Sequence, residues 1–403
     1  MADAESPALA AFRAEARSWL NENFPASLKN RAAIMLNLNV ETDEPDFLTW
    51  KRAMGAKGWG VPTWPKAYGG GGLSKEENKV LSQEMAKIGA FSPIGGMGVM
   101  MFGPTLLEYG TEAQKQRFMP GIVNGTTRWC QGFSEPGAGS DLASLATRCE
   151  DKGDHYLVNG QKIWTSGGQY ADWIFCLVRT DTTRKHEGIS FLVFDMKSPG
   201  VEVRPIQLIS GNSPFCETFF TDVKVPKDQL VGPLNGGWSI AKRLLQFERQ
   251  SLSGAGGGTA GGTARFGAPD LERMVDKYVG RDAAGRVADA DLRQRLIAHH
   301  MEARAFALTL SRAAAEAKSG SGPSAATSIM KNVGAKIAQD RAELSMEMMG
   351  HQGLGWEGEG FNAYELGMVR GWLGGKAVTI YGGSTEIQNN IVAKRMLGLL
   401  DHQ

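Results

Sequence analysis

Four stretches of this chain carry residue types that could do chemistry. In CQGFSEPGAGSD (130–141), the Ser134 and Ser140 hydroxyls stand among Pro136, Gly137 and Gly139. Glycines expose backbone N–H groups, so such a loop can cradle anionic or carbonyl oxygens, although the same composition suits an ordinary turn. QKIWTSGG (161–168) sets the Trp164 indole beside two hydroxyl side chains at a strand end, where a tryptophan of a barrel core would also fit. YGGSTEIQNN (381–390) opens a helix with GGST. A helix N-terminus offers unpaired N–H groups and a positive dipole end to phosphate. The fourth feature is a carboxylate, Glu248, in WSIAKRLLQFERQSL. Helical spacing puts it on one face with Ala241, Leu244, Leu245, Ser251 and Leu252, and no Lys or Arg lies three or four residues away. A carboxylate on an apolar stripe is a candidate for a raised pKa and general-base work, with a tertiary ion pair as the plain alternative.

The elements that must position these residues change in texture along the chain. Residues 1–125 read as helices: SPALAAFRAEARSWLNENF repeats Leu9, Phe12, Ala16, Trp19 and Leu20 on one stripe, with Ser6-Pro7 as cap and first turn. GWGVPTWPKAYGGGG between helices is a loop rather than a domain linker. Residues 126–235 read as short strands, DWIFCLVRT, GISFLVFDM, VEVRPIQL and ETFFTDVKVP, and Asn159-Gly160 predicts a hairpin turn. Strands without intervening helices predict an antiparallel sheet or barrel rather than a parallel Rossmann sheet. Residues 236–403 are expected to be helical, with helices over 237–265, 289–319, 325–349 and 385–396. The expected class is therefore α+β: a helical N-terminal domain, a central antiparallel barrel-like domain and a C-terminal helical bundle. GGGTAG (256–261) matches GxGxxG literally, but it follows an amphipathic stretch and no strand, so it reads as a tightly packed helix face.

Bulk properties narrow the function. The chain has 403 residues, with 44 basic against 43 acidic and a net charge of +1. That balance gives no reason to expect nucleic acid or an anionic membrane as partner. Apolar runs such as WIFCLV fall far short of a membrane span, and MADAESPALAAF lacks an export-signal pattern. Cys130, Cys149, Cys176 and Cys216 are scattered with no CxxC pair, so no disulfide framework or zinc site is expected and a reducing cytoplasm is the default.

GFSEPGAGSD, then VNGQKIWTSGG, then the C-terminal IYGGSTEIQNNIVAKRMLG resemble the acyl-CoA dehydrogenase family, and the match runs in order through nearly the whole chain. The resemblance implies FAD bound without a Rossmann domain, between the β domain and the C-terminal helices. It implies cofactor contacts at Gln131, Phe133, Ser134, Gly139, Ser140, Trp164, Ser166, Ser384 and Glu386. Phe133 and Ser134 would lie along the flavin ring, Ser140 near the pyrophosphate and substrate, Trp164 over one flavin face and Ser166 near the N5 edge. Ser384 and Glu386 would hold the phosphate or ribose side. MGHQGLGWEG (349–358) is similar to the family's glycine turn near a neighbouring subunit's FAD, which adds Gln352 and Gly353.

The family's chemistry removes a proton alpha to a thioester and passes a hydride from the beta carbon to flavin. One desolvated carboxylate must act as base, its pKa raised toward about 6–7. Many members carry that glutamate just before the Gly-Thr of the C-terminal motif, where this chain has Gly382. Others place it on the first long helix after the β domain, which here is Glu248, with Arg249 beside it toward the substrate. Glu386 is then a holder of cofactor. The family's Arg-x-x-Phe-Gly segment is replaced by ARFG (264–267), which leaves open whether the oligomer is a homodimer, a homotetramer or a heteromer. The expected function is desaturation of an acyl-CoA with electrons passed to an electron-transfer flavoprotein. The rivals are a flavin oxidase or monooxygenase on the same fold and a non-catalytic subunit of a heteromeric dehydrogenase. Acyl chain length is not legible; the methionines of GGMGVMM (95–101) would suit an adaptable acyl pocket or the core alike.

Overall fold

Helix α1 (Pro7–Asn23) begins where Ser6-Pro7 predicts. Ser6 Oγ accepts the Leu9 N–H at 3.3 Å, and the proline sits in the first turn, where its missing N–H costs nothing. The computed structural model describes residues 5–36, 43–252, 270–318 and 326–400. The chain divides into two compact units, residues 1–206 with 213–261, and residues 207–212 with 262–403.

In the first unit, α1, α2 (Pro45–Lys57) and α3 (Lys75–Ile88) bury Ala16, Leu20, Trp50, Met54 and Leu81 in one cluster. A π turn at Gly98–Phe102 leads into α4 (Gly103–Tyr109), and a Thr111–Gln114 capping box starts α5 (Glu112–Val123). The strands are β1 (Trp129–Gly132), β2 (Arg148–Asp151), β3 (His155–Ser166), β4 (Trp173–Arg179), β5 (Ile189–Asp195), β6 (Val201–Ile206) and β7 (Phe215–Pro226). They form one sheet in the order β1-β4-β2-β3-β7-β6, with β5 also paired to β4. Antiparallel ladders dominate, as expected from strands without crossover helices, but β1 runs parallel to β4, from Trp129↔Trp173 to Gly132↔Cys176. A single pair, Arg148↔Arg179, joins β2 to β4 in parallel as well. The long stretch between β1 and β4 supplies the crossover that a parallel pair needs. β4 and β5 are covered on both faces, by clusters around Phe175 and Phe191 on one side and Ile174, Cys176 and Phe194 on the other. That double cover explains why their sequences are continuously apolar rather than alternating.

The hairpin expected at Asn159-Gly160 does not form. β3 runs unbroken through both residues, and its ladder with β7 shifts register between Val158 and Gly160 as a bulge. Asn159 instead bridges to Asp222, donating to its carboxylate at 2.9 Å and accepting its N–H at 2.9 Å. Gly160, at φ +153°, lies so close to Thr147 that a Cβ would fall 2.7 Å from the Thr147 Cα. The glycine answers a close approach of two backbones, not a turn.

Helix α6 (Gly237–Leu252) packs on α4, the π turn and β5, burying Ile240, Ala241 and Leu244. The remainder of the predicted 237–265 helix, with GGGTAG and ARFG, lies outside the described residues. In the second unit, α7 (Leu271–Met274), α8 (Ala290–Lys318) and α9 (Ala326–Met349) bury Leu271, Met274, Leu292, Leu296, Leu344 and Met348 together. α10 (Ala363–Gly375) and α11 (Thr385–Arg395) also pack on α9. α7 and α10 were absent from the sequence expectation. Gly367, Gly371, Gly374 and Gly375 depress helix propensity in α10, and its packing against α9 overrides them. No helix among the described residues is long and apolar enough to cross a membrane.

Candidate functional site

β1 delivers the chain to the loop after Gly132 with its side chains alternately committed. Gln131 is half-buried in register with Phe175, while the Phe133 ring is buried edge-on against Phe175 and Phe191. Phe133 therefore faces the core; only its backbone is available to a ligand. Ser134 is half-buried and its carbonyl accepts the Ile163 N–H at 2.9 Å, which ties the loop to β3. Glu135 and Ala138 exchange N–H···O bonds at 3.1 and 3.0 Å, so Pro136 and Gly137 form a tight exposed tip. Gly139 and Ser140 follow, also exposed, and a Cβ on Gly137 or Gly139 would meet nothing within 4 Å. The tip is open space lined by backbone.

Beneath the tip lies a pair of charges that the sequence reading missed. Lys162 of β3 is fully buried; its Nζ donates to Glu135 Oε1 at 2.8 Å and to the Phe133 carbonyl at 3.1 Å. Glu135 also accepts the N–H groups of Ala146 (2.6 Å) and Thr147 (2.9 Å). Burial pushes the Glu135 carboxyl up, but Lys162 and these donors more than reverse that and hold it below the ordinary range. The signal was present: Lys162 keeps the even-numbered phase of the inward residues Tyr156 and Val158, where a lysine demands a partner.

A second register shift of β3 falls between Lys162 and Thr165, and it re-aims Trp164. Trp164 adopts φ +62°, a left-handed conformation rare for a bulky residue, and its indole is 52% exposed, edge-on to Phe215 at 6.0 Å. Strain of this kind persists where surrounding structure imposes it, as at ligand sites. Thr165 points inward, bonded to Thr218 at 3.1 Å, while Ser166 is half-buried, two residues on from Trp164 and on the face that the two would share in a regular strand.

In the second unit, Gly382 (φ +66°) and Gly383 (φ +90°) form the left-handed turn that precedes α11. Ser384 caps the helix, accepting the Ile387 N–H at 3.4 Å. Glu386 is exposed, and hydrogen bonding from Ser384, then its own N–H and the charge of Lys331, hold its carboxyl below the ordinary range. A base for carbon acids needs the opposite shift. Gln352 is half-buried with an Oε1 that finds no hydrogen-bond partner, and Gly353 lies where a Cβ would come 2.8 Å from the Met346 carbonyl. Glu248 and Arg249 fall within α6, with Ala241 and Leu244 of the same face buried, but their side chains lie outside the described residues. No cluster of three or more His, Cys, Asp or Glu among the described residues could hold a metal ion.

A flavin dinucleotide takes an aromatic face, hydroxyls and backbone N–H groups for its phosphates, and each unit by itself presents groups of these kinds. The first unit offers an exposed indole and an unobstructed glycine tip; the second offers a glycine turn, a capped helix N-terminus and an unsatisfied amide oxygen.

The N-terminal, middle and C-terminal domains of acyl-CoA dehydrogenases match residues 6–126, 130–223 and 235–397. Acyl-CoA dehydrogenase IpdE1 of Mycobacterium tuberculosis is 36% identical over 399 residues, which are 96% of this chain and 97% of that protein. Acyl-CoA dehydrogenase FadE34 of the same organism is 39% identical over 84% of this chain and 44% of its own length. Among solved structures, the Tcur3481-Tcur3483 steroid ACAD superposes with a TM-score of 0.74 at 31% identity, over 100% of both chains. The ChsE4-ChsE5 complex from Mycobacterium tuberculosis gives 0.73 at 31%, also over 100% of both. The chain belongs to the acyl-CoA dehydrogenase family, whose members are FAD-dependent oxidoreductases.

Proposed function

We propose that this protein oxidises an acyl-CoA thioester to the 2,3-enoyl-CoA, with Glu248 as the base and an electron-transfer flavoprotein as the electron acceptor. Bound FAD would supply the hydride acceptor for the beta carbon. The observation that carries the proposal is Trp164, a strained, half-exposed residue that follows Ile163, whose N–H bonds the Ser134 carbonyl at the start of the glycine loop. Trp164 and Ser166 would orient the flavin, and Ser134, Gly139 and Ser140 would take its polar groups and the thioester end of the substrate. Gln131 and the Phe133 backbone would line the same edge. Ser384 and Glu386 would hold the phosphate or ribose side of the cofactor, and Gln352 and Gly353 would approach the FAD of a neighbouring subunit.

Glu248 removes the alpha proton in this scheme, and Arg249 lies toward the substrate. The lowered pKa direction of Glu386 supports giving the base role to Glu248, because an exposed carboxylate held ionised is a weak proton acceptor. The acyl group we favour is ring-bearing, since one solved relative is described as a steroid ACAD. The half-buried Met97 and Met100 border the core that contains Met101, and their flexible side chains suit a bulky acyl wall. The ChsE4-ChsE5 relative supports testing for a heteromeric as well as a homomeric assembly. The four buried, unpaired thiols suit a reducing compartment, the cytoplasm in this scheme.

The test is an anaerobic absorbance titration of the purified protein with straight, branched and ring-bearing acyl-CoAs. Bleaching of the flavin band by a thioester is the expected result, strongest for a ring-bearing one. A flavin band that no thioester bleaches, but that turns over with oxygen and another reductant, would refute the dehydrogenase assignment in favour of the oxygen-using relatives.

A further inference from the structure

Residues 133–147 are held from the interior by three buried charged side chains. Lys162 fixes the entry of the segment through the Phe133 carbonyl and Glu135. Glu135 ties entry to exit, because the same carboxylate accepts the Ala146 and Thr147 N–H groups eleven and twelve residues on. Arg179, 9% exposed at the end of β4, fixes the far side: Nε donates to the Leu145 carbonyl at 3.2 Å and Nη2 to Leu145 at 3.1 Å and Ala143 at 2.5 Å. Its Nη1 reaches the carbonyls of Arg184 (2.9 Å) and Lys185 (2.6 Å), and its own N–H bonds Thr147 O at 2.7 Å.

Glu135, Lys162 and Arg179 place three charged groups in the low-dielectric interior under the exposed tip, and the charge of Asp181 acts on Arg179 as well. A hydrophobic core would have stabilised the fold without this desolvation cost, so the arrangement calls for a reason beyond stability. Among the described residues the tip is closed by the Glu135–Ala138 backbone pair, and its glycines have no side chains to brace it.

We propose that Lys162, Glu135 and Arg179 are positioning residues that hold the Pro136–Ser140 tip in its ligand-binding conformation. The inference rests on the proposed binding of FAD. The lock acts through backbone: Lys162 and Arg179 grip carbonyls, and Glu135 grips N–H groups, so the tip is presented with its own polar groups free.

The deciding variant is the double substitution Glu135→Gln with Lys162→Met, which removes both members of the ion pair together and leaves Arg179 on its carbonyl partners. Three quantities are read on wild type and variant: the FAD dissociation constant of reconstituted apoprotein, amide hydrogen exchange of residues 134–147 without FAD, and the apoprotein melting temperature. The expected result is FAD binding weaker by about tenfold or more, comparable to loss of one charge-assisted hydrogen bond. Faster exchange confined to 134–147 should accompany it, with the melting temperature little changed. Arg179→Lys, which keeps the charge but loses the multiple carbonyl contacts, should shift exchange and affinity in the same sense and serves if the double variant does not fold. Wild-type affinity and exchange in a folded variant would overturn the inference alone. A wild-type protein with no affinity for FAD would overturn the proposed function, and the inference with it.

Discussion

Replacing Gly160 with alanine tests whether two backbones really meet at the β3 bulge. An alanine Cβ would stand 2.7 Å from Thr147 Cα, 2.7 Å from its Oγ1 and 2.9 Å from its Cβ. Carbon atoms at ease are about 3.5–4.0 Å apart, so the overlap approaches an ångström. Thr147 cannot readily retreat: its N–H bonds Glu135, its carbonyl accepts the Arg179 N–H, and β2 begins at the next residue. Overpacking of this kind costs ~1–3 kcal/mol. The φ of +153° adds ~1–2 kcal/mol for a residue with a Cβ. Reduced freedom of the unfolded chain returns ~0.4–1 kcal/mol. The net expectation is a loss of ~2–4 kcal/mol, or ~5–12 °C in melting temperature for a cooperative unit of roughly 250 residues. The assay is urea and thermal unfolding of the apoprotein by circular dichroism, because bound FAD would mask part of the effect by mass action. Thr147→Ala added to Gly160→Ala should not rescue stability, since the limiting atom is the Thr147 Cα. A loss below about 1 kcal/mol, or full rescue by Thr147→Ala, would refute the close-approach reasoning.

Three further outcomes are expected. Glu248→Gln should retain FAD and bind acyl-CoA while flavin reduction, followed by stopped-flow absorbance, slows by about a hundredfold or more; near wild-type reduction would remove Glu248 from the base role. Glu386→Gln should raise the FAD dissociation constant by about two- to tenfold, as for one charged contact near a helix terminus, and leave reduction of the loaded enzyme largely intact. Loss of reduction with FAD fully retained would instead make Glu386 the base. The third concerns acid stability. Burial raises the carboxyl of Glu84, which is 2% exposed, but hydrogen bonds from Arg17, Lys87 and Arg13 overcome that and bring it down to about 2. A depressed folded pKa contributes stability that is complete above the unfolded value of 4.5 and is lost as pH falls toward about 2. Arg17 and Lys87 are half exposed, so screening trims the contribution to ~1–2 kcal/mol. The stability gap between wild type and Glu84→Gln should therefore shrink between pH 4.5 and 2; a gap independent of pH would count against the network.

The sequence by itself determined the order of the elements and the family. Ser6-Pro7, the Leu9–Leu20 stripe and the apolar runs of β4 and β5 are local signals, and each became the element it predicted. The distinctive loop, indole and GGST motifs needed no neighbours to be recognised, because their glycines and hydroxyls are adjacent in the chain. Tertiary structure decided what these local signals could not. Asn159-Gly160 has hairpin chemistry, yet Thr147, on a segment earlier in the chain, requires a glycine within a continuous strand. Phe133 sits inside the cofactor motif, yet the faces of β4 and β5 take its ring into the core. Lys162, Glu135 and Arg179 lie on three different segments, so their meeting under the loop is a consequence of sheet order, which links strands distant in sequence. Pairing across a sheet is non-local, and one chain of letters read in windows carries periodicity and turn chemistry but not the identity of the partner.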